Sequence, residues 1–151
     1  MADTSTRKLC SLPFDYFRLV ANVARVPSGR AVVQSSGALK RSLERLALDV
    51  TGGPAARRAT VRCRSEVCVL LARMAGTYDR ETGAANDFIL APRYRALEVL
   101  IGMMVTGWGY RRAGDSRERL VVEVARHNAA LALAALCRDG LRSVPLVAQA
   151  G

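Results

Sequence analysis

The side chains that could do chemistry in this sequence are few and poorly spaced for it. His127 is the one histidine. It has neither a His-Glu-x-x-His partner nor a second imidazole with which to hold zinc, so it reads as a helix-surface or half-buried residue. Of the four cysteines, Cys63 and Cys68 are not in the Cys-x-x-Cys spacing of zinc knuckles and redox motifs. On a helix their separation turns the chain by about 500°, which points the two thiols apart. Cys68 and Cys137 suit small core positions. Gly107, Gly109 and Gly114 follow a helical pattern and lack the Gly-Lys-Ser/Thr ending of a phosphate loop. There is no Gly-x-Ser-x-Gly elbow, and the carboxylates are scattered. The sequence therefore predicts no catalytic residues, no metal site and no cofactor.

Charge is the other chemical feature. Lys plus Arg number 23 against 13 Asp plus Glu, for a net +10. Only Lys8 and Lys40 are lysines. A skew towards arginine alongside abundant Ala, Val, Leu and Gly looks like codon drift in a GC-rich genome. The excess is therefore read as surface potential that favours acidic partners. Arg57, Arg58, Arg62 and Arg64 form the densest cluster, joined by Arg93, Arg95, Arg111, Arg112, Arg117 and Arg119. A stacking reader of nucleic acid pairs such arginines with exposed aromatics, and only Tyr94 and Tyr110 lie near them in sequence. A solvated arginine-rich face is the favoured reading, and nucleic acid is not an expected partner.

The elements that must position these residues are helices. A chain of 151 residues, 50% hydrophobic, suits a single domain over 1–151 with one core, with 1–10 and 144–151 as flexible ends. Apolar residues recur at helical spacing and no alternating stretch has strand length. The first helix is expected from near Ser11, with Phe14, Phe17, Val20, Ala21 and Ala24 on one face, ended by Pro27, Ser28 and Gly29. The second starts near Ser35 or Ser36 and carries Leu39, Leu43, Leu46, Ala47 and Val50. A stretch from about Ala55 to Tyr78, in one piece or two, has Val67, Leu70, Leu71 and Met74 as its stripe. Asp79 to Pro92 reads as the longest loop. Arg93 to about Thr106 is the most apolar helix, which places it at the centre of the bundle. The closing helical sequence follows Asp115 and Ser116, bends near Asn128 and stops at Gly140. The longest runs without formal charge, Val99 to Tyr110 and His127 to Cys137, predict no membrane span. The N-terminus offers no apolar secretory stretch, so the expected location is the cytoplasm or nucleus.

One segment is more specific. Ile101-Gly102, Trp108-Gly109-Tyr110-Arg111-Arg112 and Asp115-Ser116-Arg117, followed by the apolar Ala129 to Cys137, resembles the C-terminal half of the poxvirus Bcl-2-like family. The match covers about Leu97 to Arg138. It implies an all-α, Bcl-2-like bundle of about six or seven helices around a hydrophobic central helix. Trp108 and Gly109 would be its packing anchor, since a buried indole contributes ~150 to 250 Å².

The function the resemblance implies is that of a non-enzymatic viral inhibitor of host innate immune signalling, directed at NF-κB activation or interferon induction. It would act by binding host adaptors or kinases, and some relatives dimerise. Carried onto this chain, the family's face between its first and sixth helices comprises Phe14, Phe17, Arg18, Arg117, Leu120 and Val121. The alternative is an apoptosis inhibitor that takes a BH3 helix in a groove, with Arg93, Arg95 and Leu97 as its residues. Against that alternative, the Asn-Trp-Gly-Arg motif expected at the start of the central helix is absent. A basic nucleic-acid-binding protein comes third.

Overall fold

The computed structural model describes residues 14–48, 53–106 and 116–138. They form an all-α bundle of seven α-helices with one minimal hairpin: α1 (Phe14–Val23), α2 (Pro27–Ser35), α3 (Ala38–Ala47), α4 (Pro54–Met74), β1 (Tyr78–Asp79), β2 (Gly83–Ala84), α5 (Ala85–Ile89), α6 (Ala96–Thr106) and α7 (Ser116–Arg138), with a 3-10 turn at Pro92–Tyr94. Trp108 and Gly109 lie outside the described residues, as do Tyr110, Arg111, Arg112 and both chain ends.

Local chemistry explains each boundary. In α1, Phe17, Val20 and Ala21 fall on one buried face at the spacing of an amphipathic helix. Arg73 of α4 donates to the Ala21 carbonyl in the last turn, where intrahelical donors run out. The sequence reads Pro27-Ser28-Gly29 as a stop, yet Pro27 opens α2 after an extended Val26. A first-turn proline loses no helical hydrogen bond and brings a suitable φ. Gly29 lets α2 cross close over the end of α1, because a Cβ there would sit 1.7 Å from the Val23 carbonyl oxygen. Gly37, at φ 80°, then joins α2 to α3 in a conformation that disfavours side chains. Leu39, Leu43 and Leu46 bury one face of α3.

The longest expected loop is ordered. β1 pairs with β2 antiparallel around a turn in which the Asp79 carboxylate accepts from the N–H groups of Glu81 and Thr82 and from the Thr82 hydroxyl. Gln34 of α2 donates to the Gly83 carbonyl, and the Asn86 side chain accepts from the Gly76 N–H. Polar bonds of this kind leave no apolar periodicity to read in sequence.

The hub is α4, one unbroken helix that packs against α1, α3, α5 and α7. The sequence places the centre at Arg93 to Thr106, but α6 packs chiefly on α7 and α3 and leaves Met104 and Val105 exposed. The physical reason lies in averaging. The arginines of α4 are concentrated in its first half and dilute the composition of a helix whose Val67, Cys68, Leu70, Leu71 and Met74 are all buried. Nor does the structure break α7 at Asn128: the helix runs continuously from Ser116 to Arg138. The Asn128 amide donates to the Ser65 hydroxyl of α4 at 2.8 Å, so this polar residue serves as an interhelical tie.

The closing helix also departs from the expectation about membranes. Arg119–Arg138 is long and apolar enough to cross one by length and composition, with a mean hydropathy of 1.5. In the bundle it lies along α4 through Val122, Ala125, Ala129, Ala132 and Leu136.

Candidate partner-binding surfaces

Helix α7 has two apolar faces. The inner one, at a repeat of three and four residues, is mostly alanine, which allows close approach to α4. The outer one carries Leu120, Val124 and Leu131, exposed at 65%, 45% and 46%, with exposed His127 and Ala134 between and after them. These five share one face at helical spacing over about 21 Å. The flank is charged: Arg126 pairs with Glu123 at 3.1 Å and donates to the Met104 carbonyl at the end of α6. That contact sets Arg126 beside the α6 end that bears exposed Met104 and Val105. A helix that keeps leucines and a valine in water along one face is the form in which amphipathic helices are bound by partners.

The residues expected to form a first-helix and sixth-helix face divide. Leu120 is exposed on the outer face of α7 and Val121 is half-buried at its side. Arg117 lies in the first turn of α7. Arg18 is exposed on α1, and Phe14 is half-buried beneath the Arg62 guanidinium, 4.5 Å from its ring centroid. Phe17, 1% exposed, is a core residue and offers no binding surface. Helices α1 and α7 each pack on α4 and do not form a substantial pair with one another, so the six residues are not one continuous face.

Arg93, Arg95 and Leu97 are close together at the start of α6. Arg93 stacks on Phe88 and Tyr94, and Arg95 pairs with Glu98 in its own first turn at 2.9 Å. Arg95 holds φ 53°, the one positive φ outside glycine among the described residues. Leu97 is half-buried. Tyr94, read from sequence as an aromatic beside arginines, is buried and cannot stack on a ligand.

The basic cluster is also redistributed. Arg57, Arg58 and Arg62 are exposed on α4, whereas Arg64 is buried and donates to the Leu48 carbonyl. Arg45 of α3 is buried as well and donates to the Thr60 hydroxyl at 3.0 Å. Besides Phe88 and Tyr94 beside Arg93, two aromatics of α1 meet surface arginines far away in sequence: Phe14 under Arg62, and Tyr16, whose hydroxyl accepts from Arg41 at 3.1 Å. Sequence proximity could not find them, because the contact is made by packing three helices together.

The two buried thiols of α4 are poor nucleophiles. Burial pushes Cys68 up to about 12 against a weaker opposing pull from Arg64. Cys63 is raised for the same reason, with Arg45 opposing through charge and a hydrogen bond. Both stay protonated at neutral pH, and a protonated buried thiol is inert. His127 is exposed, and no group of three or more His, Cys, Asp or Glu side chains among the described residues could hold a metal ion. No protein-family model matches the chain, and no match to it was found among the curated proteins or the solved structures.

Proposed function

We propose that this chain is a non-enzymatic, protein-binding inhibitor of host innate immune signalling from a virus, acting on NF-κB activation or interferon induction by holding an adaptor or kinase. The observation that carries the binding part is the exposed Leu120, Val124 and Leu131 face of α7. The signalling part rests on the resemblance of Leu97 to Arg138 to the poxvirus Bcl-2-like proteins. In this reading α7 offers its outer face to an apolar partner surface while its alanine face stays on α4.

The test is a pair of reporters, one for NF-κB and one for the interferon-β promoter, in stimulated cells expressing the protein. Repression by the wild type that is lost in a Leu120→Glu/Leu131→Glu double variant of unchanged melting temperature is the expected result. A wild type that leaves both reporters untouched overturns the reading. The groove-binding alternative has one observation in its favour, the exposed Arg95 at the start of α6, whose pairing with Glu98 is local. A titration with fluorescent BH3 peptides at low and high salt separates the two. Tight, salt-tolerant binding that is lost in Arg95→Glu would put apoptosis inhibition first.

A further inference from the structure

From Tyr16 to Leu43 the sequence carries five cations and no acid, and the corner where α1 turns into α2 lies inside that stretch. Arg25, Val26, Pro27 and Ser28 are exposed there in succession, so the turn is an outer edge of the bundle. Leu19 and Val23, four apart on one face of α1, are 62% and 37% exposed, and Val26 is 53% exposed. Gly29 brings α2 against Val23, since a Cβ there would also meet the Val23 Cγ1 at 3.2 Å. Val23 and Val26 therefore both border the first turn of α2. Scattered exposed aliphatics need no explanation. Three gathered around one corner, in a run without acids, call for one.

Three guanidiniums meet at this edge. Arg30 donates to the Ala24 and Arg25 carbonyls at 3.2 and 3.4 Å, and Arg73 of α4 donates to the Ala21 carbonyl. Burial lowers the Arg73 pKa, the like charge of Arg25 lowers it further, and Glu66 opposes both. Arg25 itself is exposed. Cations at the C-terminal end of a helix meet its negative pole and cap its last carbonyls. Capping fixes Arg30 and Arg73 in place, yet it occupies only part of the five donors that each guanidinium carries. Arg25 and Arg30 form no ion pair among the described residues. The acids on this side are half-buried Glu66, which offsets Arg73, and exposed Asp15, one turn before Leu19 on α1.

From this juxtaposition we infer that the corner between α1 and α2 docks on an anionic lipid surface, with Leu19, Val23 and Val26 entering the acyl boundary while Arg25 and Arg30, backed by Arg73, meet the headgroup phosphates. A lipid surface fits this corner better than a protein does. Its exposed apolar residues are all aliphatic, whereas the hot spots of protein interfaces draw on tryptophan and tyrosine. They stand on an exposed turn, which can enter a fluid interface without a matching pocket. Aliphatic side chains bordered by arginines, whose stems are apolar and whose heads reach phosphate or water, are the composition of interfacial segments. The net +10 of the chain adds a field that draws it to an anionic leaflet. The corner is separate from the outer face of α7 and from the partner proposed for it.

The test is co-sedimentation of the full chain with vesicles of phosphatidylcholine containing about 30% phosphatidylserine, and with phosphatidylcholine alone. The wild type should bind the mixed vesicles about tenfold or more tightly than the neutral ones. Leu19→Ser/Val26→Ser, at unchanged melting temperature, should lose about tenfold or more on the mixed vesicles. A control that removes comparable side chains from α7, Val124→Ser/Leu131→Ser, should stay within about twofold of wild type. Arg25→Gln should lose about fivefold, the share of one cation at an anionic surface, and Arg138→Gln less than about twofold. Equal losses in the two serine pairs would mean that exposed apolar area in general carries the binding, and would overturn the site. So would wild-type affinity in Leu19→Ser/Val26→Ser or in Arg25→Gln, equal binding to the neutral vesicles, or no binding to the mixed ones, including the case in which polyglutamate binds instead.

Discussion

Helices α4 and α7 lie against each other along most of their length, yet they divide the work of the molecule differently on each side. On the inner side α4 supplies bulk, with Val67, Leu70, Leu71 and Met74 buried, while α7 supplies small residues, Ala125, Ala129, Ala132 and Ala135. Small residues on α7 let its backbone approach α4 closely. On the outer side α4 turns arginines to water near its start, and α7 turns leucines and a valine. One helix pair therefore presents one cationic and one apolar surface. Stability lives on the buried faces, and the outer face of α7 carries the binding proposed above.

The sharpest way to separate these roles is to damage the seam. Leu71, 0% exposed on α4, lies in the hydrophobic core of the bundle. Leu71→Ala should cost about 2–5 kcal/mol, the range for a buried leucine that leaves a cavity, read from urea unfolding followed by circular dichroism. A loss below about 1 kcal/mol would show that the core collapses around the gap and that close packing around α4 is not what holds the bundle.

How much of this was legible in sequence depends on which contacts are local. The all-helical class, the buried stripes of α1 and α3, and the Val67, Leu70, Leu71 and Met74 stripe follow from apolar spacing within one helix. The central position of α4 was hidden by its own arginines, and the start of α2 by a proline that reads equally well as a stop or a first turn. Of the residues expected on a partner-binding face, Leu120 is exposed and Phe17 is buried. A residue on the apolar face of an amphipathic helix is first of all a core residue, and spacing alone cannot say which apolar position stays outside. The pairing of Phe14 with Arg62 and of Tyr16 with Arg41 had no sequence signal, because each spans the packing of different helices.

The inner faces also differ in what they titrate, and this sets a second, smaller effect. Cys68 of α4 is pushed by burial up to about 12, against an ordinary thiol value of 9.0, whereas the alanines of α7 have nothing to ionise. A group whose folded pKa exceeds its unfolded one adds stability that is whole below the unfolded value and is lost as pH rises towards the folded one. Stability should therefore fall above about pH 9, by up to about 1.4 kcal/mol per pH unit. Buried Cys63, raised in the same direction, adds to the slope. Urea midpoints near pH 8 and near pH 10.5 provide the measurement. Cys68→Ala should be less stable at the lower pH and lose less between the two. An identical slope in the variant would assign the alkaline loss to other groups.

The smallest expected effect is on the outer face of α7, and its smallness is what makes it informative. Leu131 is 46% exposed, so Leu131→Ser gives up little buried area and opens no cavity. Its cost should stay within about 0.5 kcal/mol, as for surface substitutions away from packed features. Serine also removes an apolar group from water, which reduces the drive towards self-association at high protein concentration. Thermal melting should thus leave the variant within a few degrees of wild type, while sedimentation at rising concentration shows it equally or more monomeric. A loss near that of Leu71→Ala would mean that Leu131 is packed in solution, against a second copy or another part of the chain, and that the outer face of α7 is already covered before any partner arrives.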